Sequence, residues 1–151
     1  LDATDPSTKG RLLKDNVSLF EVFKVASTYD DICYEWVNNY PVTFDSAFPY
    51  LVDQLKSKPL NVAVTNTFLK VLSERPDTFI ARKMGREQAV RVSVDAKTVL
   101  EFGGLETPKG IKSFADFDQK LRVSGNKCNP GTTADLTAAT LALCTLSGYR
   151  P

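Results

Sequence analysis

An all-α fold, a multi-helix bundle, is predicted by three observations: apolar residues recur at helical spacing in segment after segment, Pro/Gly-bearing breaks separate those segments at short intervals, and one stretch alone alternates as a strand would. A chain of 151 residues buries one sizeable core without disulfides or a structural metal, so residues 1–151 are expected to form a single helical domain.

The elements follow in order. Residues 1–14, with Pro6 and Gly10, read as a flexible arm. Val17, Phe20, Phe23 and Val25 then mark a short helix ending near Ser27. Thr28-Tyr29-Asp30-Asp31 supplies an N-cap and an acidic third position for a helix that buries Ile32, Trp36 and Val37 and stops at Tyr40-Pro41. Thr43 to Leu55 forms another amphipathic segment, with Pro49 in its first turn or at a local break. Pro59 opens a packing helix whose stripe is Leu60, Val64, Phe68, Val71 and Leu72. Asp77 caps a short helix that ends in Arg82 and Lys83 before a turn at Gly85.

From Arg86 to Leu100 the length favours a helix, although Val90, Val92 and Val94 alternate as in a strand. Residues 101–112, with Gly103, Gly104, Pro108 and Gly110, read as a loop before a helix from Ser113 towards Arg122. Ala134 opens the final helix, which runs almost to Leu146 and stops at Gly148. Phe20, Phe23, Phe44, Phe48, Phe68, Phe79, Phe114 and Phe117 are assigned to core packing.

Composition narrows the chemistry. The 18 acidic and 19 basic residues give a formal charge of +1, which offers no argument for nucleic acid but leaves room for a basic phosphate pocket. Histidine is absent, so imidazole acid/base catalysis is excluded within this chain. Cys33, Cys128 and Cys144 have no metal-ligand spacing and read as reduced core or pocket-wall thiols. With no apolar run of membrane-spanning length and no signal-peptide pattern, a soluble cytoplasmic protein without membrane partners is expected. The opening Leu1-Asp2-Ala3-Thr4-Asp5-Pro6 reads like the middle of a longer polypeptide.

The best functional clue is Asn129-Pro130-Gly131-Thr132-Thr133-Ala134-Asp135, where amides, hydroxyls and a glycine precede a helix. Such a turn presents N–H groups to a phosphate, with the helix terminus adding favourable electrostatics. The bland alternative is a Pro-Gly turn with Thr132 or Thr133 as helix cap. Asp135 has three open roles: coordinating a hydrated divalent ion, transferring a proton, or capping its helix. Arg82 and Lys83 either neutralise phosphate at that turn or lie solvated at their helix end. Lys120, Arg122 and Lys127 form a run that widens the pocket or remains a solvated face, and Asp31 with Glu35 reads as capping and surface solvation rather than a metal pair.

Ile80-Ala81-Arg82-Lys83-Met84-Gly85 followed by Asn129 to Leu136 resembles the triphosphoribosyl-dephospho-coenzyme-A synthase family, in particular its C-terminal half and its archaeal-like members. The resemblance implies an all-helical enzyme that joins a triphosphoribosyl unit from ATP to dephospho-coenzyme A and releases adenine. It further implies that Arg82 and Lys83 neutralise phosphates, that Asn129, Thr132 and Asp135, with Gly131 and Thr133 beside them, position ATP, dephospho-coenzyme A or bound Mg²⁺, and that Asp135 is catalytic. The family's earlier Pro-Gly, basic and acidic motifs have no counterpart, so the chain is expected to be a C-terminal part acting with an upstream N-terminal fragment or as a homo-oligomer. A noncatalytic nucleotide-binding or assembly half and a structural helical adaptor stand as alternatives: convergent polar groups in a pocket would favour binding, an apolar groove with Arg82 and Asp135 apart would favour the adaptor.

Overall fold

The computed structural model describes residues 6–123 and 125–150, which in these spans are helical with short connections and no strand. The helices are α1 (Pro6–Lys14), α2 (Leu19–Ala26), α3 (Asp31–Val37), a π-helical segment (Val42–Ala47) running into α4 (Phe48–Leu55), α5 (Leu60–Glu74), α6 (Thr78–Met84), α7 (Arg86–Glu101), a 3₁₀ turn (Gly104–Glu106), α8 (Pro108–Val123) and α9 (Gly131–Leu146). The all-α expectation is met, and the segment from Arg86 is a helix despite its alternating valines. Of the arm expected over residues 1–14, residues 1–5 lie outside the described residues and Pro6–Lys14 forms α1.

α5 is the axis of the packing. Leu69 and Leu72 join Ile80 of α6, Val92, Ala96 and Val99 of α7 and Phe117 of α8 in the largest apolar cluster. Val71 packs with Val42, Ala47 and Leu136, and Ala63 with Leu51 and Cys144. Buried residues therefore emerge from α5 in several directions, the signature of a central helix rather than a surface one.

Acidic side chains start several of these helices, and the capping read for the Asp30, Asp31 and Glu35 region is carried by Asp30 and Glu35. The α3 cap is Asp30, whose Oδ1 accepts from the amides of Ile32 (3.0 Å) and Cys33 (3.2 Å). The Thr28 hydroxyl donates back to Val25 O instead, because the α2–α3 turn continues past it. Glu35 is buried and accepts from the Val42 amide (2.8 Å), the Thr43 amide (2.9 Å) and the Thr43 hydroxyl (2.6 Å), which caps the π-helical segment. Asp31 is also buried, paired with Arg75 at 2.6 Å, so these two carboxylates are neither solvated nor a metal pair.

Asp77 does cap α6, with Oδ1 accepting from Phe79 N (2.9 Å) and Ile80 N (3.0 Å). Its Oδ2 simultaneously accepts from Thr133 N (2.7 Å) and the Thr133 hydroxyl (2.8 Å) in the first turn of α9. One carboxylate, 1% exposed, thus holds two helix starts separated by more than fifty residues.

Two boundaries depart from the sequence reading. The stretch read as a loop over 101–112 contains the 3₁₀ turn and the first turn of α8, which begins at Pro108 rather than Ser113. Proline suits a first helical position, and Thr107 Oγ1 accepts from Gly110 N at 2.9 Å as the cap. Gly110 is there for contact: a Cβ on it would lie 2.0 Å from Gly104 O. At the other boundary α9 begins at Gly131 rather than Ala134, so Thr132 and Thr133 lie inside the helix and neither caps it.

The aromatic assignment is also corrected in part. Phe117 is buried, but Phe20, Phe44 and Trp36 are exposed, Trp36 by 56%. Trp36 sits in a line of rings from Phe23 (6.0 Å) through Tyr40 (5.9 Å) to Phe44 (6.3 Å from Tyr40).

Removing the Asp77 carboxylate strands the amides of Phe79, Ile80 and Thr133 in the interior, and each unsatisfied donor costs about 1–3 kcal/mol. Asp77→Ala is accordingly expected to destabilise the fold by at least about 3 kcal/mol in urea unfolding. A loss under about 1 kcal/mol, the size of an ordinary surface cap, would refute the double-cap account.

Candidate functional site

The start of α9 carries no side-chain cap from its N-cap residue, Pro130. Gly131 N donates to Asn129 O at 2.9 Å, Thr133 N is held by Asp77, and Ala134 N returns to Pro130 O at 3.0 Å. The Thr132 hydroxyl pairs with that of Thr78 at 3.1 Å, and Thr78 Oγ1 also accepts from Asp31 N at 3.2 Å. The starts of α3, α6 and α9 are thereby tied together, and their partial positive ends meet at one place. Gly131 lies beside the Phe79 ring, which a Cβ there would meet at 3.4 Å, an ordinary van der Waals contact.

Beside this junction opens a cavity of about 600 Å³. Arg82, Asn129, Gly131, Thr132 and Asp135 line it, five residues picked out from the sequence, together with Phe23, Asp30, Ile32, Cys33, Trp36, Phe79 and Ala134. Arg82 is oriented by Asp30, with Nη1 to Oδ2 at 3.0 Å, and its guanidinium lies 5.6 Å from the centre of the Phe79 ring. Asp135 is exposed on α9 and makes no side-chain hydrogen bond or ion pair with any described residue, so it is not a cap.

Two predicted residues stand off the wall. Thr133 is buried and bound to Asp77 through both its amide and its hydroxyl. Lys83 Nζ lies over the Phe79 ring at 4.0 Å, adjacent to the cavity rather than on it. Lys120 and Arg122 are exposed and paired with Asp95 and Asp118, away from this cavity.

Cys33 fits the pocket-wall alternative read from the sequence, whereas sequence reasoning missed Asp30, Trp36 and Phe23 as wall residues, because their local pattern is that of an amphipathic helix and only the docking of α3 beside α9 brings them here. A signal existed in Asp30: it is the one acid placed to cap α3 and still offer a second oxygen to a cation.

Among the described residues no three His, Cys, Asp or Glu side chains converge as a metal cage. Asp30 already serves two amides and Arg82, which leaves Asp135 as the single free carboxylate on the wall. One carboxylate plus phosphate oxygens and water is a normal environment for Mg²⁺, so the residues fit an ion that arrives with a phosphorylated ligand.

Cys33 gives the wall a chemical handle. Burial first, and then the Asp30 charge, push its thiol pKa above the ordinary value, with Arg82 opposing. The thiol is therefore protonated at neutral pH and is expected to react with iodoacetamide more slowly than a free cysteine at pH 8, the deficit closing as pH rises above the raised pKa. Peptide mapping of the alkylated protein against pH would show this; a Cys33 rate above that of free cysteine at pH 8 would contradict it.

The chain matches the family model for CitG, ATP:dephospho-CoA triphosphoribosyl transferase, over residues 1–151. It is 28% identical over 109 residues to a Citrobacter koseri protein described as a 2-(5''-triphosphoribosyl)-3'-dephosphocoenzyme-A synthase, covering 72% of this chain and 35% of that one. It is 27% identical over 158 residues to Protein CitXG of Leuconostoc mesenteroides subsp. cremoris, covering 97% of this chain and 32% of the relative. A crystal structure from Archaeoglobus fulgidus, described as a triphosphoribosyl-dephospho-coA synthase, superposes with a TM-score of 0.78 at 29% identity, covering 97% of this chain and 60% of the other. The chain thus spans about a third of the length of these curated relatives. The match over all 151 residues overturns the placing of the likeness in a C-terminal half, and with it the separate upstream fragment as a partner. On the full-length match and the shared fold, this chain belongs to the ATP:dephospho-CoA triphosphoribosyl transferase family.

Proposed function

We propose that the chain contributes to transfer of a triphosphoribosyl unit from ATP to dephospho-coenzyme A with release of adenine, and that the cavity at the start of α9 receives the ATP triphosphate. The observation that carries this reading is the convergence of Arg82, Asn129, Gly131, Thr132 and Asp135 on one cavity, in a chain of this family. The same convergence argues against a structural adaptor, which would leave Arg82 and Asp135 apart.

The electrostatics specify how the ligand enters. On the wall Asp30 and Asp135 outnumber Arg82, and Lys83 beside Phe79 brings the neighbourhood to near neutrality. A bare triphosphate gains little there beyond the α9 terminus, whereas one accompanied by a cation satisfies Asp135 as well. Mg²⁺ held by Asp135 and the phosphates would supply charge neutralisation. Arg82, oriented by Asp30, contributes charge-assisted hydrogen bonds to phosphate oxygens, and the Thr132 amide and Asn129 side chain complete the cradle.

In the transfer itself the bond from the ribose anomeric carbon to adenine breaks, a bond from that carbon to an acceptor hydroxyl oxygen forms, and the hydroxyl proton must leave. The proton given up by the hydroxyl balances the one that the departing adenine takes up, and with no histidine in the chain Asp135, when not engaged by the cation, is the wall residue able to carry it. The larger contribution of the site is alignment of the two reactants.

Trp36, the only tryptophan, lines this cavity and reports on it. Titration with Mg²⁺ and ATP is expected to quench its fluorescence saturably, with Asn129→Ala and Asp135→Asn each weakening binding about five- to tenfold while the far-UV circular dichroism is unchanged. Intact-mass analysis with dephospho-coenzyme A should then show the triphosphoribosyl adduct and an equivalent of adenine. Binding without product would restrict the reading to nucleotide capture; neither binding nor product would overturn it.

A further inference from the structure

Arg82 belongs to two cavities. The second, about 540 Å³, is lined by Tyr29, Asp31, Arg75, Thr78 and Arg86 in addition to Arg82 and lies on the α5–α6 and α6–α7 connections. Three guanidinium groups around one opening repel one another unless each is answered. Arg75 is answered by Asp31 at 2.6 Å and rests 4.7 Å from the centre of the Tyr34 ring. Arg82 is answered by Asp30 from the first cavity. Glu74, also on the wall, is already engaged by Lys70 and by the Ser46 hydroxyl.

Arg86 alone has no ion pair or side-chain hydrogen bond with a described residue. It is also the first residue of α7, a sixteen-residue helix whose preceding Gly85 (φ +87°) provides no side-chain cap. A free guanidinium, two more whose partners can share them, and an uncapped helix start on the same wall form a surface suited to a small polyanion.

We propose that this second cavity binds the diphosphate of dephospho-coenzyme A, with Arg86 as its principal contact and Arg82 shared between the two substrates. The inference rests on the transferase reading above and names the place of the acceptor within it. Two polyanions must approach closely enough to react while their phosphates stay apart. A guanidinium in the wall common to both cavities meets both requirements, since its planar fork offers donors along more than one edge. The first cavity, near neutral and already matched to the triphosphate with its cation, has no spare positive charge for a second polyanion.

The test is equilibrium dialysis of the full chain with dephospho-coenzyme A and with Mg²⁺ and ATP, each alone and each at saturation of the other, for the unaltered protein, Arg86→Ala, Arg86→Lys and Asn129→Ala. Both ligands are expected to bind at once. Arg86→Ala should weaken dephospho-coenzyme A about tenfold or more and leave ATP within about twofold, Arg86→Lys should recover part of the loss, and Asn129→Ala should show the reverse preference. Competitive displacement of dephospho-coenzyme A by ATP, or an Arg86→Ala variant that weakens both ligands equally or neither, would overturn the second site while leaving the ATP cavity intact. Failure of the unaltered protein to bind ATP at all would instead remove the transferase reading and this inference together.

Discussion

The carboxylate of Asp77 is the constraint on which the site depends. A charged group in the interior is tolerated only when its oxygens are fully occupied, and Asp77 receives four hydrogen bonds, two from the first turn of α6 and two from Thr133. Because both helix starts bind the same side chain, α6 and α9 cannot slide past one another without exposing donors that have no other partner. Phe79 and Arg82 ride on one helix and Gly131, Thr132 and Asp135 on the other. Their separation across the cavity is therefore set by a residue that does not line it.

The same device recurs in weaker form around the junction. Asp30 caps α3 and turns its second oxygen to Arg82, Glu35 caps the π-helical segment, and the Thr78 hydroxyl links the start of α3 to that of α9. Acidic residues thus begin the helices while the helices aim their positive ends at a common region, although the chain as a whole is almost neutral. The central position of α5 explains why this region lies where it does: helices packed around it converge at the connections on either side of Arg75-Pro76-Asp77.

Helical spacing, proline breaks and the cap at Asp77 were legible in the sequence because they act within a few residues. Arg82 and the Asn129–Asp135 turn were legible as a pair of polar clusters, and their spatial union rests on the second oxygen of Asp77, which no local pattern announces. The departures have the same origin. Gly110 looks like a loop glycine until Gly104 O is seen to press against it, and Trp36 looks like a core residue until the docking of α3 leaves it on a cavity wall. Arg75 and Arg86 escaped notice for a related reason, since one reads as part of a proline break and the other as the start of an ordinary helix, and only the turn at Gly85 sets them facing a common opening. The two motifs that carry the family likeness, Ile80–Gly85 and Asn129–Leu136, lie late in the chain, whereas the family match runs over residues 1–151, so they do not mark a C-terminal half.

The double cap also has a consequence for how the protein is made. Asp77 emerges from the ribosome well before Thr133, and α9 is the last of the described helices. Until α9 arrives, α5 lacks a neighbour on one flank, Leu136 is missing from its cluster, and one oxygen of Asp77 must be hydrated. Closure of that flank of α5 and completion of the cavity wall therefore both wait on α9. The α6–α7–α8 cluster, by contrast, has all its partners before α9 is reached.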